Sequence, residues 1–223
     1  MKEVTARNVN RGLFITFEGG DGSGKTTQIG ELRKLLEEMG YKVLLTREPG
    51  GTLISEKIRT LLLDPENTGM DPVTETMLYA AARAQLVSEV IRPALEDGTI
   101  VICDRFVDSS IAYQGYGRQL GDMVSEINAY GIGDCMPDLT IYLRLDPGDG
   151  NRRINGRRLD RIEMESMDFH QRVFYGYDQL RDSSEGRIVS LDARGSIREI
   201  ADQIKAKVLP LLEKRSGTGE EQV

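Results

Sequence analysis

The feature that most constrains the fold of this chain is a glycine-rich loop near the N-terminus. Residues 19–26 read Gly19-Gly-Asp-Gly-Ser-Gly-Lys-Thr26 and match the pattern G-x-x-x-x-G-K-[ST]. The loop directly follows a β-rich run, Leu13–Glu18, and precedes a helical pattern over Gln28–Met39. Glycines let successive backbone N–H groups turn towards one phosphate, and a helix N-terminus adds the positive end of its dipole. The chain is therefore expected to bind a phosphate group on a strand–loop–helix unit.

Four more β-rich runs follow, with helical patterns between them. The runs are Lys42–Thr46, Thr99–Cys103, Leu139–Leu145 and Ile188–Leu191, and the later helical patterns are Pro72–Asp97, Met164–Asp182 and Ser196–Glu213. Several runs are continuously apolar, as expected for parallel strands that are covered on both faces. Alternating strands and helices predict βαβ units. We expect an α/β fold of the P-loop NTPase type, a three-layer sandwich with a five-stranded parallel sheet, helices on both faces and a small lid.

The chain has the organisation of one domain. No internal repeat or low-complexity linker interrupts it, so a single domain over residues 1–213 is the simplest interpretation. A charged segment between the fourth strand and the next helix is a candidate mobile lid, taken as residues 151–163. Residues 214–223 are predicted to form a polar C-terminal tail.

Composition excludes several classes of protein. With 36 acidic and 29 basic residues the formal net charge is −7, which argues against a nucleic-acid binder. No apolar run approaches the length of a membrane span, and the N-terminus has no apolar signal-peptide core. Two cysteines in apolar stretches suit a reducing compartment, so a cytoplasmic protein is expected. One histidine argues against a His-rich metal site and a Ser-His-Asp triad.

The loop alone leaves the type of nucleotide-dependent protein open. GTPases usually carry a base-reading N-K-x-D motif, which is absent from the sequence, and the length argues against a motor or transporter ATPase. A small kinase or a related ligase remains. Lys25 is expected to reach the β- and γ-phosphates, and Thr26 to ligate Mg²⁺. The expected ATP-binding residues are Gly19, Gly20, Asp21, Gly22, Ser23, Gly24, Lys25, Thr26 and Thr27.

Five further motifs narrow the class. They are Thr46-Arg-Glu-Pro-Gly-Gly51, Tyr79-Ala-Ala-Ala-Arg-Ala-Gln85, Asp104-Arg-Phe-Val-Asp-Ser-Ser-Ile-Ala-Tyr-Gln-Gly115, Pro137-Asp-Leu139 and Leu159-Asp-Arg-Ile-Glu163. Together with the loop, these motifs resemble the thymidylate kinase family, whose members phosphorylate dTMP to dTDP. The resemblance covers about residues 12–213, and its R-E-P-G-G and D-R-x-x-x-S-x-x-A-Y-Q segments are specific to that family among nucleoside monophosphate kinases.

Arginines follow the predicted strands on the acceptor side. In open α/β sheets, ligands bind beyond the carboxyl ends of the strands, where the loop, Arg47 and the pair Asp104-Arg105 are expected to meet. The resemblance implies that Arg47 and Arg105 hold the phosphate of dTMP, the attacking group. An ordinary surface ion pair is the alternative for each.

Tyr79 and Arg83 lie four residues apart and hence on one helix face. The resemblance implies that Tyr79 stacks on thymine while Arg83 donates a hydrogen bond on the O4 side of the ring. A core tyrosine with a solvent-seeking arginine is the alternative.

The resemblance also assigns five residues around the acceptor nucleotide. Ser109 and Gln114 match positions that face thymine, and Tyr113 matches an aromatic residue beside the sugar that disfavours a 2′-hydroxyl. Asp21 matches a carboxylate near the 3′-hydroxyl. Asp104 matches a carboxylate that assists Mg²⁺ or the acceptor oxygen, with a helix N-cap as its alternative.

Five arginines crowd the predicted lid: Arg152, Arg153, Arg157, Arg158 and Arg161. Arg supplies 21 of the 29 basic residues, and its planar fork suits the phosphate oxygens that gain charge during transfer. Some family members carry a catalytic Arg directly after the loop Asp, but this chain has Gly22 there and resembles the type in which the lid supplies it. That lid arginine falls on Gly156 here, so Arg153 or Arg157 is expected to replace it. A solvated charged face is the alternative.

The motifs together predict an ATP-dependent dTMP kinase that works by direct in-line transfer and serves dTTP synthesis. The expected catalytic residues are Lys25, Asp104, Arg105, Arg153 and Arg157, with Mg²⁺ on Thr26 and Asp104. The expected partners are ATP and dTMP, without nucleic acid or membrane, and the resemblance implies a homodimer. The alternatives are a kinase of another pyrimidine monophosphate, such as dUMP or CMP, and a non-catalytic P-loop regulator.

Overall fold

Five parallel strands form one sheet in the structure, a computed structural model that describes residues 11–154 and 159–217. The strands are β1 (Phe14–Glu18), β2 (Val43–Arg47), β3 (Ile100–Asp104), β4 (Leu139–Arg144) and β5 (Ile188–Asp192). Their order across the sheet is β2-β3-β1-β4-β5, and each pair of neighbours is parallel. All five predicted strands are confirmed, with ends that differ by at most one residue.

Helices connect these strands. The described helices are α1 (Lys25–Glu38), α2 (Leu53–Leu63), α3 (Pro72–Leu86), α4 (Arg92–Glu96), α5 (Val107–Ser110), α6 (Met123–Ile132), α7 (Pro147–Ile154), α8 (Met167–Ser183) and α9 (Ile197–Gly217). α5 continues as a π-helical segment, Ile111–Gly117. The sequence patterns did not predict α2, α5, α6 or α7. α2 nevertheless carries a recognisable start signal, since the Thr52 hydroxyl accepts a hydrogen bond from the Ser55 N–H.

The sheet is buried on both faces. On one face, Ile15 and Phe17 of β1 pack with side chains of α1 and α9, and on the other face Phe14 packs with those of α3 and α4. Burying each such side chain stabilises the fold by about 1.5–3 kcal/mol. Contacts on both faces explain why Phe14, Ile15 and Phe17 are all apolar, and the polar side chain among them, Thr16, is hydrogen-bonded to Thr140 at 2.8 Å. The predicted three-layer α/β architecture is confirmed.

The long helical pattern over Pro72–Asp97 forms a helical rod whose winding changes along its length. Asp71 caps its start by accepting hydrogen bonds from two N–H groups of the first turn. α3 is then followed by a π-helical turn, Val87–Ile91, and by α4, whose first turn contains Pro93. Because proline lacks an N–H and disturbs regular α winding, a wider turn ahead of it keeps the chain helical.

The strand order brings three loops together. β2, β3 and β1 are adjacent, so residues 48–51, 105–106 and 19–24 leave the sheet at the same edge. At the other end of the chain, α9 continues past its predicted end at Glu213 to Gly217. Within the two described ranges, no helix combines the length and apolar character needed to cross a bilayer.

Candidate active site

A cleft of about 550 Å³ opens at the carboxyl ends of β1, β2 and β3. The predicted site residues that line it are Asp21, Gly22, Ser23, Gly24, Lys25, Thr26, Thr27, Arg47, Tyr79, Arg83, Asp104, Arg105, Ser109, Tyr113, Gln114 and Arg153. Gly19 and Gly20 contribute carbonyl groups that bind Lys25. Arg157 lies outside the described residues. The fold thus gathers most of the predicted donor and acceptor residues in one place.

The phosphate-binding loop, residues 19–26, is partly buried, with Gly24 and Thr26 exposed and one cation, Lys25, buried beneath it. The Lys25 Nζ atom donates to the carbonyl oxygens of Gly19 at 3.0 Å and Gly20 at 3.1 Å. Burial, and then the charge of Arg105, lower the pKa of Lys25 to about 8, so added negative charge would stabilise the ammonium group. Gly22 has a φ of 75°, and a Cβ there would lie 2.7 Å from the Gly150 carbonyl oxygen. α7 therefore packs directly against this loop.

Two oxygen-bearing side chains at the cleft suit a divalent cation. The Oδ1 atom of Asp104 is buried and has no hydrogen-bond partner, while Thr26 is exposed in the cleft. Asp104 is not a helix cap, because α5 begins at Val107 with Phe106 at its N-cap position. Mg²⁺ accepts such ligands together with phosphate oxygens and water. Within 11–154 and 159–217 no cluster of three or more His, Cys, Asp or Glu side chains could hold a metal by itself.

Arg105 projects from a strained turn directly after β3. Its φ is 68°, in the left-handed region that residues other than glycine seldom adopt. Its guanidinium forms an ion pair with Asp21 at 2.8 Å and lies 5.2 Å from the centre of the Tyr113 ring. Burial would raise the pKa of Asp21, but the charges of Arg105 and Lys25 outweigh it and lower the pKa. A phosphate entering here would compete with Asp21 for Arg105.

Arg47 lies at the rim of the cleft, with its side chain 46% exposed. It forms an ion pair with Glu56 at 3.1 Å and donates to the Pro49 carbonyl oxygen at 3.1 Å. Arg59 of α2 donates to the same carbonyl at 2.8 Å and also lines the cleft, although the sequence analysis did not identify it. The guanidinium groups of Arg47 and Arg59 therefore meet at the Pro49 carbonyl, and Arg47 also pairs with the carboxylate of Glu56.

Arg83 is buried deeper than any of the other acceptor arginines, with a residue exposure of 1%. Its Nε atom donates to Glu48 at 2.7 Å, and its other nitrogens donate to Ser110, Asn128 and a backbone carbonyl. Tyr79, one turn earlier on α3, is partly exposed and lines the cleft. This is the reverse of a core tyrosine with a solvent-seeking arginine. A contact between Arg83 and a base would require Arg83 to exchange one of its present hydrogen bonds.

The two serines of α5 face different partners. The Ser109 Oγ atom donates to Glu18 at 2.5 Å and lies 2.8 Å from the Tyr177 hydroxyl. The Ser110 Oγ atom accepts a hydrogen bond from Arg83 at 2.9 Å and also lines the cleft. Ser110, which the sequence analysis passed over, is therefore the serine that shares a wall with Arg83.

Tyr113 and Gln114 complete the inner wall. The Tyr113 ring is 7% exposed and packs edge-on against the rings of Phe169 and Tyr177. Gln114 is 1% exposed, and its Nε2 atom donates to Glu75 at 2.9 Å. Both side chains are consequently held rigidly from the protein side.

Three buried glutamates that were not predicted hold the acceptor residues from behind. Glu18 accepts from Ser109, Glu48 accepts from Arg83, and Glu75 accepts from Gln114. Burial is the main cause that raises the pKa of both Glu18 and Glu48 to about 7. For Glu75, hydrogen bonds led by that from Arg118 outweigh burial and lower the pKa. Arg83, Ser109, Tyr113 and Gln114 form one wall of the cleft, here called the acceptor wall. Buried carboxylates thus hold three of its four side chains by hydrogen bonds.

Arg153 of α7 is the lid arginine that touches the phosphate-binding loop. Its Nη1 atom donates to the carbonyl oxygens of Gly22 at 3.2 Å and Ala193 at 3.1 Å. It is also exposed and lines the cleft. Its guanidinium is therefore next to the place expected for the β- and γ-phosphates.

The other described lid arginines have different surroundings. Arg152 is exposed and pairs with Asp149. Arg161 is 6% exposed and binds Glu75 at 2.7 Å and the Leu62 carbonyl at 2.8 Å. Arg161 therefore belongs to the interior, unlike the charged lid residue that the sequence suggested. Arg157 and Arg158 fall in the segment that is not described.

Known proteins are similar to this chain in sequence and in fold. The thymidylate kinase family model matches residues 17–204. The thymidylate kinase of Bacillus licheniformis is 48% identical over 197 residues, which are 86% of this chain and 93% of that protein. That of Lactobacillus delbrueckii is 50% identical over 195 residues, 85% of this chain and 92% of that protein. The crystal structure of thymidylate kinase from Ehrlichia chaffeensis matches with a TM-score of 0.74 and 35% identity, over 90% of this chain and 99% of that one.

The chain belongs to the thymidylate kinase family. The match extends from β1 into α9, so it includes the phosphate-binding loop and the whole acceptor wall. The resemblance drawn from the five motifs is confirmed.

Within this thymidylate kinase, the residues that sequence reasoning missed share one property. Glu18, Glu48 and Glu75 make their decisive contacts with residues distant in sequence, which no local pattern reveals. Two signals were available: Glu48 lies in the R-E-P-G-G motif, and Glu18 is a charged residue at the end of a β-rich run. Buried charge in such a position is rare unless it is paired or hydrogen-bonded.

Proposed function

We propose that the enzyme phosphorylates dTMP to dTDP with ATP by direct in-line transfer, as a step in dTTP synthesis. The observation that carries this proposal is the single cleft that joins the phosphate-binding loop to the wall formed by Arg83, Tyr113 and Gln114. Membership of the thymidylate kinase family supports the same reaction.

The donor side binds ATP. The backbone N–H groups of residues 19–27 surround its phosphates, and Lys25 lies at the β- and γ-phosphates. An oxygen of the dTMP phosphate attacks the γ-phosphorus, the bond from that phosphorus to the β–γ bridging oxygen breaks, and ADP leaves. The protein contributes position and positive charge, and no covalent enzyme intermediate forms.

The acceptor side binds dTMP. Arg105 and Arg47 hold its phosphate, and Asp21 turns from Arg105 towards the 3′-hydroxyl. Tyr79 stacks on thymine, with Arg83 on the O4 side. Tyr113 limits the space at the 2′ position. These roles are supported by the common lining of the cleft.

Gln114 is the remaining acceptor residue that faces thymine beside Arg83 in this proposal. Ser109, which the resemblance also assigns to thymine, lines the same cleft, but its hydroxyl is bonded to Glu18 and Arg105. Ser110 is added to them because its hydroxyl is bonded to Arg83 and lines the cleft.

Mg²⁺ accompanies ATP in this proposal. Asp104 and Thr26 would hold it, and the unpartnered, buried Oδ1 atom of Asp104 fits that task. When bound, Mg²⁺ neutralises charge on the β- and γ-phosphates. Asp104 is the last residue of β3 and Arg105 follows it directly, so adjacent residues would bind the cation and the acceptor phosphate.

A lid over residues 151–163 excludes water and supplies the catalytic arginine. The expected single domain of residues 1–213 is extended by the last turn of α9, which ends at Gly217, so the polar tail of the proposal begins after that residue. The contacts of Arg153 with the Gly22 carbonyl support it as that arginine, and Arg157 is the other candidate. Excluding water prevents hydrolysis of ATP in place of transfer to dTMP.

The functional unit is proposed to be a homodimer in the cytoplasm. Large apolar side chains are exposed on α2, α3 and α6, namely Leu53 at 84%, Leu61 at 52%, Met77 at 56% and Tyr130 at 93%. α3 packs against both α2 and α6, and in this proposal the partner subunit covers these side chains. Cys103 and Cys135 are buried free thiols, which suits a reducing compartment.

A substrate panel tests this function. ADP release would be measured with Mg-ATP and dTMP, dUMP, dCMP or dAMP in turn, and dTMP is expected to give the highest kcat/KM. Since one methyl group is worth about 1–3 kcal/mol, dUMP should be a poorer substrate by about 10- to 200-fold. A higher kcat/KM for dUMP or dCMP would assign a different pyrimidine kinase. No stimulation by any monophosphate would favour a nucleotide-binding regulator.

A further inference from the structure

Glu18 is a fully enclosed carboxylate at the back of the acceptor site. It is the last residue of β1, has 0% exposure, and does not line the cleft. Three donors converge on it. The Phe106 N–H lies 2.7 Å from Oε1, and the hydroxyls of Ser109 and Tyr177 lie 2.5 Å and 2.8 Å from Oε2. Glu18 is therefore placed to act on the reaction only through other residues.

The two hydroxyls stand between Glu18 and Arg105. The Arg105 Nη1 atom donates to Ser109 at 3.3 Å and to Tyr177 at 3.5 Å. Each hydroxyl has one hydrogen and two lone pairs, so a hydroxyl that gives its hydrogen to Glu18 turns a lone pair towards the guanidinium. The charge on Glu18 thus determines the direction in which both hydroxyls face Arg105.

Glu18 also fixes the backbone that carries Arg105. The Arg105 N–H donates to the Phe17 carbonyl at 2.9 Å, and the next N–H, that of Phe106, donates to Glu18. Arg105 itself has a φ of 68°. A residue other than glycine keeps such a conformation only where its surroundings hold it there.

We propose that Glu18 is a positioning residue, which orients the Arg105 guanidinium for the acceptor phosphate through Ser109, Tyr177 and the Phe106 N–H. The proposal rests on the proposed function, in which Arg105 binds the dTMP phosphate. Burial and the neighbouring charge of Asp108 both penalise an ionised carboxylate at Glu18. The hydrogen bonds from Ser109 and Tyr177 and the charge of Arg105 act in the opposite direction and favour the carboxylate.

Glu18→Gln is the primary variant, because glutamine keeps the shape but replaces an acceptor with an amide donor. The Ser109 and Tyr177 hydroxyls must then accept from the amide and turn their hydrogens towards Arg105. By calorimetry, we expect the Kd of dTMP to rise about 10- to 100-fold, the loss typical of disrupted hydrogen bonds to a charged group. The Kd of thymidine, which lacks the phosphate, should change little.

A double-mutant cycle shows whether the effect passes through Arg105. Arg105→Ala alone should weaken dTMP binding, and adding Glu18→Gln should then change the dTMP Kd little further. If Glu18 acted independently of Arg105, the two losses would multiply.

Asp108→Asn is the matched control. Asp108 is equally buried, lies on α5 next to Ser109, and pairs with Arg187 at 2.7 Å instead of with Arg105. Because Asp108 also disfavours the charge on Glu18, this variant should lower the melting temperature without reducing the preference for dTMP over thymidine.

Tyr177→Phe is a second variant that keeps the ring, which stacks on Tyr142 at 4.9 Å, and removes only the hydroxyl. It should reduce the preference for dTMP over thymidine about 3- to 10-fold, consistent with one hydrogen bond. If Glu18→Gln does not fold, the cycle of Tyr177→Phe with Arg105→Ala decides the matter in its place.

The proposal is overturned if Glu18→Gln weakens the binding of dTMP and of thymidine equally, or if its loss of dTMP affinity multiplies with that of Arg105→Ala. It is also overturned if Glu18→Gln and Tyr177→Phe both keep the full preference for dTMP over thymidine. A wild-type enzyme that binds dTMP no better than thymidine would overturn the role of Arg105 and this inference together. Normal wild-type preference with an unaffected Glu18→Gln would overturn the inference alone.

Discussion

The donor and acceptor walls of the cleft are built in different ways. The donor wall is one run of consecutive residues that presents backbone groups and Lys25. The acceptor wall joins residues far apart in the chain, such as Glu18 with Ser109 and Glu48 with Arg83, separated by 91 and 35 positions. Phosphate binding is therefore encoded locally, whereas the wall proposed to recognise the nucleoside depends on buried charged networks that only the fold assembles.

The largest expected effect lies on the donor wall. Lys25→Ala should lower kcat by at least about 10³-fold, because it removes the positive charge proposed to lie at the β- and γ-phosphates. The free energy of unfolding should not fall, since burial and Arg105 lower the pKa of Lys25 and make its charge unfavourable in the free protein. Steady-state kinetics and urea denaturation would check both. A kcat near the wild-type value would contradict the assignment.

On the acceptor wall, unlike the donor wall, we expect a substitution to lower the free energy of unfolding. Glu48→Ala leaves the buried Arg83 without its carboxylate partner and should lower the free energy of unfolding by about 3–5 kcal/mol. Glu56→Ala removes an exposed partner of Arg47 and should cost about 0–1 kcal/mol. Urea denaturation of both variants makes the comparison. Equal losses would show that burial of the Arg83 pair is not what supports this wall.

A smaller kinetic effect distinguishes the lid arginines. Arg153→Ala and Arg157→Ala would be compared at saturating ATP and dTMP, and one of the two should lose about 10²-fold or more in kcat. Arg153 is favoured because it touches the phosphate-binding loop. Arg152→Ala is the control, as its partner is Asp149 on the exposed face. If neither kcat falls, the lid does not supply the catalytic charge.

The smallest effect is a pH dependence of stability. The folded pKa of Glu18 is about 7 against 4.5 for the ordinary group, so the folded state holds this proton longer and stability is lost as pH rises from about 4.5 to 7. Glu18→Gln removes that loss. We therefore compare the free energies of unfolding of Glu18→Gln and wild type at each pH. The value for Glu18→Gln minus that for wild type should increase by about 1–3 kcal/mol between pH 5 and 8, since one pKa unit corresponds to about 1.36 kcal/mol.

Other ionisable groups also face Glu18 and will contribute to this profile. They are Asp108, Arg105, Tyr177, Arg187, Lys25 and Cys103. Because all of them remain in Glu18→Gln, the difference between the two proteins isolates Glu18. A pH-independent difference would show that Glu18 has an ordinary pKa.

The contrast between the walls also explains how far the sequence could be interpreted. All five strands and the phosphate-binding loop were predicted, since apolar runs and consecutive glycines are local signals. The contacts of Ser110 on α5 and of Arg59 on α2 were missed, because they depend on which elements the fold places beside Arg83 and Pro49. Arg161 was misjudged as a mobile charge because its partner Glu75 is distant in sequence.

The most direct test of the central claim, that both walls serve one transfer, is the formation of ADP from Mg-ATP with and without dTMP, measured together with dTDP. The account predicts one dTDP for every ADP and negligible ADP without dTMP. ADP formation at the same rate in the absence of dTMP, or without matching dTDP, would contradict it.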